Sequence, residues 1–161
     1  MDDKAFLSLS MLKELVEKRF GKDNNFRLLN VPVNLAMPEA FIEKNQMDKS
    51  LLGQADALNM NVFSVSPFLS GLLLQVPIST RFAKANYLPP KHLNLIRSLP
   101  YKSIKSVIFG AKKNRHLKIN LTLPYMERMT KDDIEGLFYS SSTRKQEKET
   151  HLVDAPGLPY N

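Results

Sequence analysis

The chain has 161 residues, a formal net charge of +7, no cysteine and no tryptophan, with 43% apolar and 24% charged residues. Such a composition fits one soluble globular domain long enough to bury a core. The absence of cysteine excludes a disulfide framework, a thiolate nucleophile and a thiolate metal or iron–sulfur site.

In chain order, Leu12, Leu15, Val16 and Phe20 recur at helical spacing and predict a helix from about Ser10 to Phe20, with Gly21 as its C-cap. A strand is expected over Phe26–Val31, followed by an irregular stretch containing Pro32 and Pro38. Leu51, Leu52, Ala55 and Leu58 share one face of a second helix, about Ser50–Leu58, which Asn59 stops. Val62–Ser66 reads as a short buried strand ended by Pro67, which has no ladder donor. A loop with Gly71 and Pro77 leads to a third helix, Lys91–Leu99, on which His92, Leu95, Ile96 and Leu99 fall on one side. His92 is therefore read as a core neighbour and not a ligand.

Ile104–Phe109 is the third predicted strand, Gly110 and Ala111 its turn, and a short helix starts near Asn114 and runs past Asn120. Thr130 and Asp133 form a capping box, with Asp in the usual Glu position, opening a last helix through Ile134, Leu137 and Phe138. The folded unit is expected over residues 1–139, and 140–161 as a flexible polar tail. Helices and strands that alternate in this way define an α/β class with a parallel sheet.

The N-terminal Met1-Asp2-Asp3-Lys4 lacks the basic start of a targeting peptide, and the longest apolar run, Leu69–Leu74, is too short to span a bilayer. A cytoplasmic protein without membrane attachment is expected. His92, His116 and His151 are scattered and give no metal-site spacing. Charge is segregated: between Asp56 and Glu127 there is no acid but there are ten bases, whereas the rest holds 13 bases and 16 acids. A basic middle suggests a phosphate-bearing partner, or alternatively a merely solvated surface.

Two segments carry chemistry. In Leu58–Leu73 a buried strand ends in Ser66-Pro67-Phe68-Leu69-Ser70-Gly71, a turn whose backbone N–H groups could cradle a pyrophosphate at the strand's C-terminal end. In Lys105–Asn120 an apolar strand turns at Gly110 into a helix start bearing Lys112, Lys113 and Arg115. Cations there oppose the helix dipole, a conflict with the local rule that hints at anion binding.

Together these segments resemble the C-terminal portion of the aldo-keto reductase superfamily. Its penultimate barrel strand typically runs into Ser-Pro-Leu-x-Ser-Gly-Leu-Leu, and its last into Ser-Val-Ile-x-Gly-Ala, a basic turn and Glu-His-Leu-x-x-Asn. Asn30-Val31-Pro32-Val33-Asn34-Leu35 is similar to the preceding strand, which usually has Gln and a later Asn-Leu. The likeness spans about residues 10–138 and implies a partial (β/α)8 barrel, its last three or so βα units, since 161 residues fall well short of the ~250 of a complete one.

The resemblance further implies NADP(H) as cofactor and carbonyl–alcohol oxidoreduction as parent activity. By it, Ser66, Pro67, Ser70 and Gly71 would lie along the pyrophosphate, and Gly110, Ala111, Lys112 and Lys113 around the adenosine 2′-phosphate. His116 and Asn120 would approach the adenine, and Asn30 would replace the Gln that holds the nicotinamide amide. Three positions depart from the family: Val65 stands for the stacking aromatic, Leu69 for a small residue, and Ile119 for the Glu that accepts from the adenine amine. The catalytic Asp, Tyr, Lys and His belong to the barrel's other half, with the Asp five residues before the Tyr. The residues five before this chain's tyrosines are Phe82, Ile96, Asn120, Ile134 and Ala155, so no general acid is offered and the chain alone is expected to be inactive. A protein partner or oligomer would complete the barrel. The alternatives are a non-catalytic cofactor-binding or regulatory subunit and, less favoured, a basic nucleic-acid-binding module, whose aromatics would have to interleave with the bases.

Overall fold

The computed structural model describes residues 6–75 and 88–138; the expected tail from Ser140 lies outside them. Three parallel strands, β1 (Leu28–Pro32), β2 (Asn61–Val65) and β3 (Ile104–Val107), pair in the order β1-β2-β3. The helices are α1 (Leu9–Phe20), α2 (Glu39–Ile42), α3 (Leu51–Ala57), α4 (Leu88–Ser98), α5 (Asn114–Asn120) and α6 (Lys131–Phe138). Alternation of helices and strands thus yields the expected parallel α/β sheet.

Caps explain most element ends. The Ser8 hydroxyl accepts from the Met11 amide at 3.4 Å to open α1, and Gly21, at φ +80°, closes it by donating to the Glu17 carbonyl at 2.8 Å. Ser50 is the N-cap of α3, not its first residue, and its hydroxyl accepts from the Gly53 amide. At α6 the Thr130 amide and hydroxyl both donate to the Asp133 carboxylate, and the Asp133 amide donates back to the Thr130 hydroxyl. The capping box is complete.

Several boundaries differ from the sequence reading, among them that β2 is Asn61–Val65 and not Val62–Ser66 and that α5 ends at Asn120, and one element was not foreseen. Phe26 is outside β1 because its amide donates to the Asn24 side chain at 3.0 Å, an Asx turn that delays the strand. The Pro-containing stretch holds α2, a single turn too short to leave a periodic signal. The third predicted helix starts at Leu88, three residues early, because Pro89 and Pro90 sit in its first turn, where their missing amides need no partner. β3 stops at Val107, although the Ile108 amide still donates to the Ser64 carbonyl at 2.8 Å.

The core lies on one face of the sheet. Leu29, Val31, Val62, Ile104 and Val107 meet Leu9 of α1, Leu52 and Ala55 of α3, Leu95, Ile96 and Leu99 of α4 and Ile134 of α6. Register places Asn30 beside Phe63 and Phe63 beside Ser106 on the opposite face. That face is open: Asn30 and Pro32 are exposed, and Leu28 keeps 43% of its surface. The apolar stripe of α1 is split: Leu12 and Val16 are half-buried on the side of the buried Leu9, whereas Leu15 and Phe20 are exposed. Among the described residues, the helices that contribute to this core, α1, α2, α3, α4 and α6, pack on one side of the sheet, as in a singly wound arrangement.

Polar ties lock the connections. The Asp56 carboxylate at the end of α3 accepts from the backbone amides of Lys102 and Ser103, at 3.1 and 2.5 Å, and so fixes the start of β3. The buried Tyr101 hydroxyl shares a hydrogen bond with Ser50 and donates to the Phe41 carbonyl, both at 3.1 Å, and burial pushes its pKa up. Arg97 donates to the carbonyls of Leu123 and Met126, at 3.0 and 2.8 Å, and ties the connection between α5 and α6 to α4.

Candidate functional site

At the C-terminal ends of β2 and β3 the chain leaves both strands in turns that face one another across a cavity of about 470 Å³. One wall is Ser66, Pro67, Phe68, Ser70, Gly71 and Leu74; the other is Ile108, Phe109, Gly110, Ala111, Lys112, Lys113 and His116. Residues some forty positions apart in sequence therefore form a single concavity. Its size is typical of small-molecule sites.

The first wall is built on unusual backbone. Ser66, Leu69, Ser70 and Gly71 all adopt left-handed φ, at 53°, 46°, 56° and 92°. For Leu69 in particular this region is uncommon, and such conformations persist only where neighbours impose them. Gly71 has no such penalty, and a Cβ built there would meet nothing within 4 Å. The turn is held by the Leu69 amide on the Ser66 carbonyl at 3.0 Å and the Gly71 amide on the Phe68 carbonyl at 2.8 Å.

The second wall carries the charge. Lys112, Lys113 and His116 are exposed, and the ion pairs among the described residues, Lys13–Glu17, Arg27–Asp23 and Lys131–Glu135, do not involve them. Lys113 is the N-cap of α5 yet makes no side-chain cap bond, and the first turn of α5 has no acid. The Arg115 guanidinium donates to Nε2 of His116 at 3.3 Å. At Gly110, too, a Cβ would meet nothing within 4 Å.

The two walls each carry a phenylalanine, Phe68 and Phe109, that the sequence reading did not assign to the site. Phe68, 9% exposed, sets its ring against that of Phe109 at a 60° tilt with centroids 6.4 Å apart and meets His92 edge-on at 6.3 Å. His92 is buried, as its place on the apolar side of α4 implied. Burial lowers its pKa to about 4, against a smaller opposing effect of its hydrogen bond with the Leu73 backbone.

Nine of the eleven residues named from sequence line this cavity: Ser66, Pro67, Ser70, Gly71, Gly110, Ala111, Lys112, Lys113 and His116. Two are not among its lining residues. Asn30 lies on the open face of β1 and borders a second cavity of about 400 Å³ beside that strand. Asn120 is buried at the end of α5, with an amide oxygen that has no hydrogen-bond partner among the described residues. Val65 falls on the same open face as Asn30 and Phe63.

Sequence reading assigned no role to Asn34, which is 1% exposed. Its Nδ2 donates to the Ser66 carbonyl at 2.9 Å while its Oδ1 accepts from the amides of Ala36 and Met37, both at 2.9 Å. In the sequence Asn34 stands only as part of the Asn-Leu pair in the likeness of this strand to the family pattern, and nothing there marks its bond to Ser66.

No family model, curated protein or solved structure matches the chain. Among the described residues there is no group of His, Asp or Glu that could hold a metal, and no helix is long and apolar enough to cross a membrane.

Proposed function

We propose that the chain is the C-terminal sector of an aldo-keto-reductase-like barrel and that its cavity binds the phosphate-bearing end of NADP(H). The observation that carries this reading is the convergence of Ser66–Gly71 and Gly110–His116 on one cavity at the ends of adjacent parallel strands, where such folds place ligands. Lys112 and Lys113 supply full positive charge without a described acid to neutralise it, and unencumbered space beside Gly71 and Gly110 admits close approach of a ligand to the backbone. The residues present fit the adenosine phosphates best. When bound, the cofactor would supply hydride-transfer chemistry.

The barrel reading is supported by the singly wound sheet. Its open face, its exposed Leu28 and the exposed Leu15 and Phe20 of α1 are surfaces that a barrel-completing partner or oligomer would cover. Without such a partner the chain provides no Asp, Tyr, Lys and His tetrad and is proposed to be catalytically inactive. A non-catalytic cofactor-binding or regulatory subunit is the second reading, favoured by Val65 at the position of the stacking aromatic.

Calorimetric titration of the purified chain with NADPH and with NADH tests the proposal. NADPH is expected to bind at least about tenfold more tightly, the difference that a 2′-phosphate with charged partners contributes. Equal affinity for both would remove the phosphate role of the two lysines. Tighter retention of RNA than of NADPH, steeply weakened by salt, would favour the nucleic-acid alternative instead.

A further inference from the structure

We infer that Asn34 is a positioning residue that fixes the left-handed turn from Ser66 to Gly71 and thereby sets the affinity of the cavity, without touching the ligand. Asn34 lies four residues before Pro38, the N-cap of α2, on the connection leaving β1, and is absent from the cavity wall. Its three hydrogen bonds run in two directions. The carbonyl end closes a local turn on Ala36 and Met37, and the amide end reaches across 32 positions of chain to the Ser66 carbonyl.

Ser66 is the hinge of the cavity's first wall. It is the first residue after β2, it turns to φ 53°, and its carbonyl also accepts from Leu69, the next residue in the left-handed region. A serine has no intrinsic preference for that conformation, so an external restraint is required to hold it. A side chain 99% inaccessible to solvent and hydrogen-bonded at both ends is such a restraint, because its own rotamer is locked. The cavity wall at β2 is in this way secured from β1, one strand further from the cations.

Asn34→Asp separates the two directions: the carboxylate still accepts from Ala36 and Met37 but cannot donate to Ser66. Asn34→Ala removes both, and guards against misfolding caused by a buried charge in the Asp variant. Amide hydrogen exchange, followed by NMR, reads the turn directly, and NADPH titration reads its consequence. In Asn34→Asp, exchange at Ser66–Gly71 is expected to accelerate about tenfold while β2 and α3 keep their protection, and NADPH affinity to fall about tenfold.

The affinity arm rests on the dinucleotide reading given above, whereas the exchange arm does not. If the parent chain fails to bind NADPH, that reading falls and the inference is decided by exchange alone. Unchanged exchange at Ser66–Gly71 in a folded variant overturns the inference, as does faster exchange with unaltered affinity in a parent that binds. Loss of folding in both variants would make Asn34 a general support of the β1–β2 pair and would also overturn it.

Discussion

Replacing Lys112 and Lys113 together by alanine is expected to weaken NADPH binding about 100-fold, to leave NADH binding nearly unchanged, and to leave the fold intact. Both side chains are exposed at the cavity, and neither belongs to an ion pair among the described residues. Their removal therefore strands no buried partner. Lys113, although the N-cap of α5, makes no side-chain cap bond, so alanine there forfeits no hydrogen bond of the helix. Removing two cations from a helix start relieves a mild electrostatic penalty. Stability should stay level or rise slightly while the ligand is lost, a combination that a purely structural role for the two lysines does not produce. Because the charges are solvent-facing, the affinity of the parent should also decline with added salt over the range where the screening length shrinks below ~10 Å.

The second large effect concerns His92 and acid. Its pKa is about 4 in the folded chain and 6.5 when unrestrained, so between those values the unfolded chain takes up a proton that the folded chain refuses. Folding stability from this residue is thus fully present above pH 6.5, falls as pH drops toward 4, and changes no further below that. A difference of this size corresponds to about 3 kcal/mol. Denaturation of the parent and of His92→Leu at a series of pH values isolates the contribution from that of the carboxylates. The stability difference between the two should move by roughly 3 kcal/mol in favour of the variant from pH 7 to pH 4. A difference that stays constant with pH would mean that His92 is accessible to water and protonates freely in the folded state.

Local rules were legible in the sequence. Gly21, Ser50, Asn59 and the Thr130–Asp133 box mark their helix ends through backbone and side-chain chemistry confined to a few residues. The parallel sheet followed from alternation, and the two walls of the cavity from glycine, proline and lysine placed just after apolar strands. What was not legible depends on distant neighbours. The stripe Leu12, Leu15, Val16 and Phe20 gave the right helix, but a periodic pattern cannot tell a buried face from one that awaits a partner, and the structure leaves Leu15 and Phe20 outside the core. Asn34 carries no local signal for its bond to Ser66, 32 positions away. Asn30 and Asn120 were grouped with the cavity by likeness to a motif. The first sits on the open side of an edge strand and the second is buried as the last residue of α5, so neither lines the walls.

The most direct measurement is a titration of isotope-labelled chain with NADPH, followed by amide chemical shifts. The largest shifts are expected at Ser66–Gly71 and Gly110–His116 together, saturating with one binding curve. Shifts centred instead on Leu29–Pro32 and the cavity beside β1, or no shifts at all from a folded chain, would contradict the dinucleotide reading.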